Sequence, residues 1–208
     1  MSVIVALVGY LIGSLPTADA LGRLTGIQLR SAGSGNPGAN NAFQLGGPGL
    51  AAAVLLVEMS KGAAAVLIGE ALASDPGAVI GGLAAVAGNV YNIWYRGQGG
   101  KGLGITAGVL LAAWPTVLGP LIPILVIAVL ITRSSGLATL VSIAALLVMS
   151  VPWSLLGWPT GWGVGNGALL VALSAGVGAL IFDRHWRDSP LSEPSRPRYP
   201  GPGSRAPR

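Results

Sequence analysis

Two short polar runs hold the residues able to act on a charged substrate. Gly33-Ser34-Gly35-Asn36-Pro37-Gly38-Ala39-Asn40-Asn41 is small and glycine-punctuated inside an otherwise apolar chain. Successive N–H groups in such a run can converge on an anion, and Ser34, Asn36, Asn40 and Asn41 add side-chain donors. The second run, Arg96-Gly97-Gln98-Gly99-Gly100-Lys101-Gly102, repeats the recipe with a fixed positive charge and leads into an apolar helix. Unbonded N–H groups at a helix start and a lysine ammonium suit one phosphate. The interval from Gly97 to Lys101 is too short for a nucleotide P-loop, and no Ser or Thr follows the lysine to hold magnesium, so ATP is not implied. The plainer readings are a turn for the first run and a flexible loop with an interfacial lysine for the second. Against a plain turn, a polar stretch from Arg23 to Gln44 is far longer than reversal requires.

Other polar residues admit structural or functional roles. Glu58 and Lys61 lie three apart within an apolar run, hence on one helix face, as an ion pair or a substrate contact. Asp19 and Arg23, one turn apart, suggest a salt bridge at a helix end. His185 follows Arg184 at the end of the last apolar run and is the one histidine in the chain. With a single histidine and no cysteine, a His-based metal cluster, a structural zinc and a Cys nucleophile are all excluded. No metal and no cofactor are expected.

The elements that must position these residues are membrane helices. The chain is 52% hydrophobic and 9% charged with a mean hydropathy of +0.69, against about 25% charged in a soluble domain. The reading is an all-α integral membrane protein. Spans are expected at Val3 to Leu24, Gly49 to Leu72, Ala78 to Trp94, Leu137 to Leu156 and Gly167 to Phe182, with a reversal at Ser74-Asp75-Pro76-Gly77. Residues 103–131, interrupted by Pro115, Pro120 and Pro123, form either one kinked helix or two short ones turning near Trp114-Pro115. With two, about seven spans result. Every Lys and Arg outside a helix then falls on one side, opposite Glu70 and Asp75. The positive-inside pattern places the N-terminus outside and both polar runs and the C-terminus in the cytoplasm. Residues 1–186 form one transmembrane unit. The basic Pro/Arg-rich tail, 187–208, is expected to be disordered and drawn to anionic headgroups rather than nucleic acid.

The ordered set Gly13-Ser14-Leu15-Pro16, the Gly33–Asn41 run, Lys61-Gly62, Gly88-Asn89, Gly99-Gly100-Lys101-Gly102 and Arg184-His185 resembles the bacterial membrane glycerol-3-phosphate acyltransferases that use acyl phosphate, the PlsY type. The likeness runs from about residue 8 to 186. It implies a seven-helix inner-membrane enzyme moving a fatty acyl group from acyl phosphate to the 1-hydroxyl of glycerol 3-phosphate, giving lysophosphatidic acid and phosphate, without metal or coenzyme A. By the resemblance, Ser34, Lys101 and His185 are the catalytic positions. Gly33, Gly35, Asn36, Gly38, Asn41, Gln44, Lys61, Gly99, Gly100 and Gly102 are expected at the substrates.

The chain departs from the family pattern at Asn40 (Thr in the family), Gln44 (Arg), Gln98 (Lys) and Asn89 (His), and after His185, where the family's Asn and Glu lack counterparts. Losing an arginine at Gln44 removes a charge-assisted contact unless Arg30 or Arg96 substitutes. Two rival readings follow: a homologue with lost or altered chemistry, and a transporter of a phosphorylated solute.

Overall fold

The computed structural model describes residues 1–165, 167–187 and 189–191. The expected disordered tail lies, from residue 192 on, outside the described residues. Those described form helices and loops with no strand among them.

Proline sets the first boundary. α1 (Ser2–Ser14) stops because Pro16 has no N–H and drives the residue before it out of helical geometry; Leu15 sits at φ −55°, ψ 126°. The stretch predicted as one span, Val3 to Leu24, is therefore two pieces, α1 and α2 (Thr17–Leu24). α3 (Ala39–Val90) departs from helical geometry at Gly47, beside Pro48, and at Ala73 and Ser74, just before Pro76. At the second break the chain folds back, as the sequence predicts. A Cβ placed on Gly69 would lie 2.1 Å from the Gly77 carbonyl oxygen, and one on Gly81 would lie 2.3 Å from that of Ala65. Residues 48–72 and 75–90 are thus antiparallel partners.

α1 runs alongside 75–90 in the same direction. Gly9 meets Gly81, Gly13 meets Ala85, and the Ser14 hydroxyl donates to the Gly88 carbonyl at 3.2 Å. Lipid supplies little hydrophobic drive between helices, so small residues that let backbones touch hold the pair. At Gly13 a Cβ would stand 2.0 Å from the Ala85 oxygen, which no side-chain shift relieves.

Residues 103–131 are two helices, α4 (Leu103–Ala113) and α5 (Leu118–Thr132), separated by Trp114 at φ −155°, ψ 65° and the 3-10 turn Pro115–Val117. With 11 residues, α4 spans only about 16 Å, roughly half of a hydrocarbon core. The segment 157–165, between α6 (Ser135–Leu156) and α7 (Gly167–Arg187), reaches in to meet its far end. Val164 N–H donates to the Ala113 carbonyl at 2.8 Å, and Thr116 donates to the Pro159 carbonyl at 2.9 Å. Gly165 N–H donates to Asp75 at 2.9 Å, so the 73–75 turn shares this end. Trp114, fully buried, packs edge-on to Trp153 there. Both polar runs lie at the other end. By length and composition, five helical stretches among the described residues are long and apolar enough to cross a membrane, one of them being the folded-back Ala39–Tyr95. The core between them is Val66, Val86, Val109, Leu170, Leu173 and Ile181.

Candidate active site

The first polar run is shaped from within by Asn41. This side chain is almost fully buried; its Nδ2 donates to the carbonyls of Leu29 (2.8 Å) and Ala32 (3.1 Å), and its Oδ1 accepts the Ser34 N–H at 2.9 Å. One amide therefore pins both ends of the turn. Gly33, at φ +61°, has no room for a side chain because a Cβ would stand 2.2 Å from that same Oδ1. Gly38 caps α3 in extended conformation, and the Ser34 hydroxyl accepts from Asn36 N–H at 3.4 Å.

The second run lies against the end of residues 75–90. Gly99 N–H donates to the Val90 carbonyl and Gly100 N–H to that of Asn89, each at 3.0 Å. Two amides of the expected phosphate-binding run are thus already bonded within the protein, and the glycines serve close approach, since a Cβ on Gly99 would fall 1.8 Å from the Asn89 oxygen. Gly102, at φ +81°, turns the chain into α4. Asn92 fastens the same segment, accepting from Trp94 N–H and donating to the Ser14 carbonyl at 2.8 Å.

Two arginines anchor the second run. Arg30 Nε donates to Asp19 at 2.6 Å, its Nη1 donates to the Gln98 carbonyl at 2.9 Å, and its guanidinium stacks 3.4 Å over the Tyr95 ring. The pairing expected for Asp19 was Arg23; the loop brings Arg30 instead, and Arg23 is exposed. Arg184, on α7, donates to the carbonyls of Val90 (3.1 Å) and Gly97 (2.9 Å).

Between the runs is a cavity of about 980 Å³. Ser34, Gly35, Asn36, Gly99 and Lys101 line it, so five of the thirteen sequence-predicted site residues come together there. Its wall also holds Arg30, Arg96, Arg184 and Arg187 against one acid, Asp183, and is therefore strongly positive. Tyr91, Trp94, Tyr95, Arg184 and Arg187 are members that sequence reasoning missed; the aromatics read as the interfacial end of a span, and the arginines as tail charge. Directly below, toward the middle of the bundle, an apolar groove of about 110 Å³ runs between α4, α5, α6 and α7 from Leu103 and Ile181 to Leu110 and Leu146. Lys101, two residues before α4, lines the cavity and Leu103, the first residue of α4, the groove; on α7 the order is Arg184 and Ile181.

Residues 3–190 match the family model described as glycerol-3-phosphate acyltransferase. The chain belongs to that family. It is 41% identical over 186 residues to the glycerol-3-phosphate acyltransferase of Synechococcus sp. (strain JA-3-3Ab), covering 88% of this chain and 86% of that one. Against the Symbiobacterium thermophilum enzyme of the same name it is 36% identical over 184 residues, covering 88% and 87%. Its fold is similar to the crystal structure of PlsY (YgiH) in the glycerol 3-phosphate form, with a TM-score of 0.76, 26% identity and 96% of each chain covered. The lysophosphatidic acid form of PlsY aligns with a TM-score of 0.73 at 26% identity, over 89% of this chain and 88% of that one.

Within this family member the remaining candidates fall outside the cavity wall. Gln44 is exposed, in the short helical stretch before the Gly47 kink, while Arg30 and Arg96 supply positive charge at the cavity. Lys61 is buried, bonded to both Glu58 oxygens (3.0 and 3.1 Å) and to the Leu15 carbonyl at 2.9 Å. Glu58 also accepts from Thr17 (2.8 Å) and Asn89 (2.7 Å), so the pair joins the α1 break to the end of residues 75–90, where Gly100 is bonded. His185 is buried behind the second run with Nε2 at 3.2 Å from the Lys101 carbonyl; a carbonyl only accepts, so this bond needs the proton on Nε2.

Proposed function

We propose that this chain is a membrane glycerol-3-phosphate acyltransferase that takes its acyl group from acyl phosphate and delivers it to the 1-hydroxyl of glycerol 3-phosphate. The products are lysophosphatidic acid and inorganic phosphate. The observation that supports this most is the stacking of a positive cavity on an apolar groove along α4 and α7. A phosphate head with a hydrocarbon tail fits that pairing, and the cavity volume leaves space for a second, water-soluble phosphate.

The acyl phosphate would set its phosphate at Lys101 and its chain in the groove. Glycerol 3-phosphate would enter from the open side, its phosphate held by Arg30, Arg96 or Arg184 and its hydroxyls near Ser34. The donor is already activated, so the work of the protein is to hold the hydroxyl at the acyl carbon and to offset the charge of the departing phosphate. The hydroxyl proton passes to a phosphate oxygen. Behind the loop, His185, at the Lys101 carbonyl, keeps that residue in place and acts as a positioning residue.

The same reading has seven membrane crossings: α1 with α2, 48–72, 75–90, α4, α5, α6 and α7. It puts the cationic end in the bacterial cytoplasm by the positive-inside rule, with the chain in the inner membrane among its lipids. Purified protein in detergent tests the chemistry. Phosphate release from acyl phosphate should require glycerol 3-phosphate, and acyl coenzyme A should not replace the donor; acyl transfer from coenzyme A alone overturns the donor assignment.

A further inference from the structure

The apolar groove contains one hydroxyl that ordinary helix packing does not account for. Hydroxyls in membrane helices usually donate to the carbonyl four residues back. Ser60, Thr132, Thr139, Ser142 and Ser174 all do so here, at 2.7 to 2.9 Å. Thr139 and Ser142, which share the groove, are among them. Thr106 is the exception. It lines the groove, is 95% buried (5% exposed), and its Oγ1 has no hydrogen-bond partner among the described residues. The Gly102 carbonyl four residues back accepts the Thr106 N–H at 3.0 Å, and the hydroxyl does not share it. A buried hydroxyl without a partner is unfavourable, and valine would fill the same volume without that penalty.

Position says what the hydroxyl meets. Thr106 stands one turn past Leu103, the residue at the top of the groove, and helical side chains lean toward the N-terminus of their helix. Its side chain therefore covers the turn next to Lys101. An acyl phosphate lying with its phosphate at Lys101 and its chain in the groove carries one oxygen on the acyl carbon, at the junction of the two compartments.

We propose that the Thr106 hydroxyl donates a hydrogen bond to the carbonyl oxygen of the acyl group under transfer. This rests on the acyl-phosphate reading above. In the step, the glycerol oxygen bonds to the acyl carbon and the carbonyl electrons move onto oxygen, where Thr106 holds them. They return as the carbon–oxygen bond to phosphate breaks. Phosphate departs with that electron pair, and the hydroxyl proton ends on it. Thr106 contributes no proton overall. Thr divides between two side-chain rotamers in helices, so turning the hydroxyl into the groove needs no backbone movement.

The test is Thr106→Val and Thr106→Ser in full-length purified protein with acyl phosphate and glycerol 3-phosphate. For Val, kcat should fall about 100-fold, the loss typical of one oxyanion donor. KM for glycerol 3-phosphate should hold, and thermal stability should stay level or rise. Ser should recover most of the rate. Unchanged kcat in Val, a rate loss that Ser does not rescue, or a loss that follows a drop in melting temperature each overturns the proposal. If wild-type protein gives no turnover with acyl phosphate while using another acyl donor, the donor assignment falls first and takes this inference with it.

Discussion

Replacing Asn41 with Ala separates a residue that touches substrate from one that builds the loop. The sequence places Asn41 among the substrate contacts, yet its three hydrogen bonds all go to the loop itself. Truncation leaves the Leu29 carbonyl without its donor in a buried position. The Ala32 carbonyl keeps the Gly35 N–H at 3.1 Å, and the Ser34 N–H is near enough to solvent to find water. One stranded acceptor at about 1–3 kcal/mol and two modest bonds at about 1 kcal/mol or less each sum to roughly 2–5 kcal/mol. For a chain of this size that lowers the melting temperature by on the order of 2–4 °C per kcal/mol. Thermal unfolding in detergent reads the first effect. Steady-state kinetics should show kcat/KM for both substrates falling together, because the displaced turn carries Ser34 away from the cavity. An unchanged melting temperature with a raised KM for one substrate alone would refute the reasoning and return Asn41 to the substrate.

Lys101→Ala should abolish acyl transfer, with folded yield retained; full turnover removes the lysine from the reaction. Arg30→Lys keeps the charge but cannot bond Asp19 and the Gln98 carbonyl while stacking on Tyr95, so KM for glycerol 3-phosphate should rise roughly tenfold. An unchanged KM would show that charge alone suffices. Lys61→Met strands the buried Glu58 carboxylate at a cost of about 3–5 kcal/mol and should reduce the folded fraction, whereas Lys61→Met with Glu58→Gln should recover much of it. A single variant as stable as wild type argues against the pair as a structural tie.

What the sequence determined by itself is whatever short-range geometry controls. Apolar run length placed the chain in a membrane, and helical periodicity put Glu58 and Lys61 on one face, where they pair at 3.0 Å. Proline marked the breaks at Pro76 and Pro115, although Pro16, inside a long apolar run, was passed over. The two polar runs were visible as the one place where small polar residues concentrate. Tertiary structure decided everything that depends on a neighbour distant in the chain. Asp19 could have paired with Arg23 on its own helix, but Arg30 arrives from a loop with Tyr95 beneath it. Gly99 and Gly100 had the composition of a phosphate cradle, yet the end of residues 75–90 takes their amides, and nothing local announces that. His185 and Lys101 are 84 residues apart in sequence and meet only because α7 returns beside the start of α4. The idle hydroxyl of Thr106 is likewise invisible in the chain, because a missing partner is a property of the packed helices around it and not of the residue.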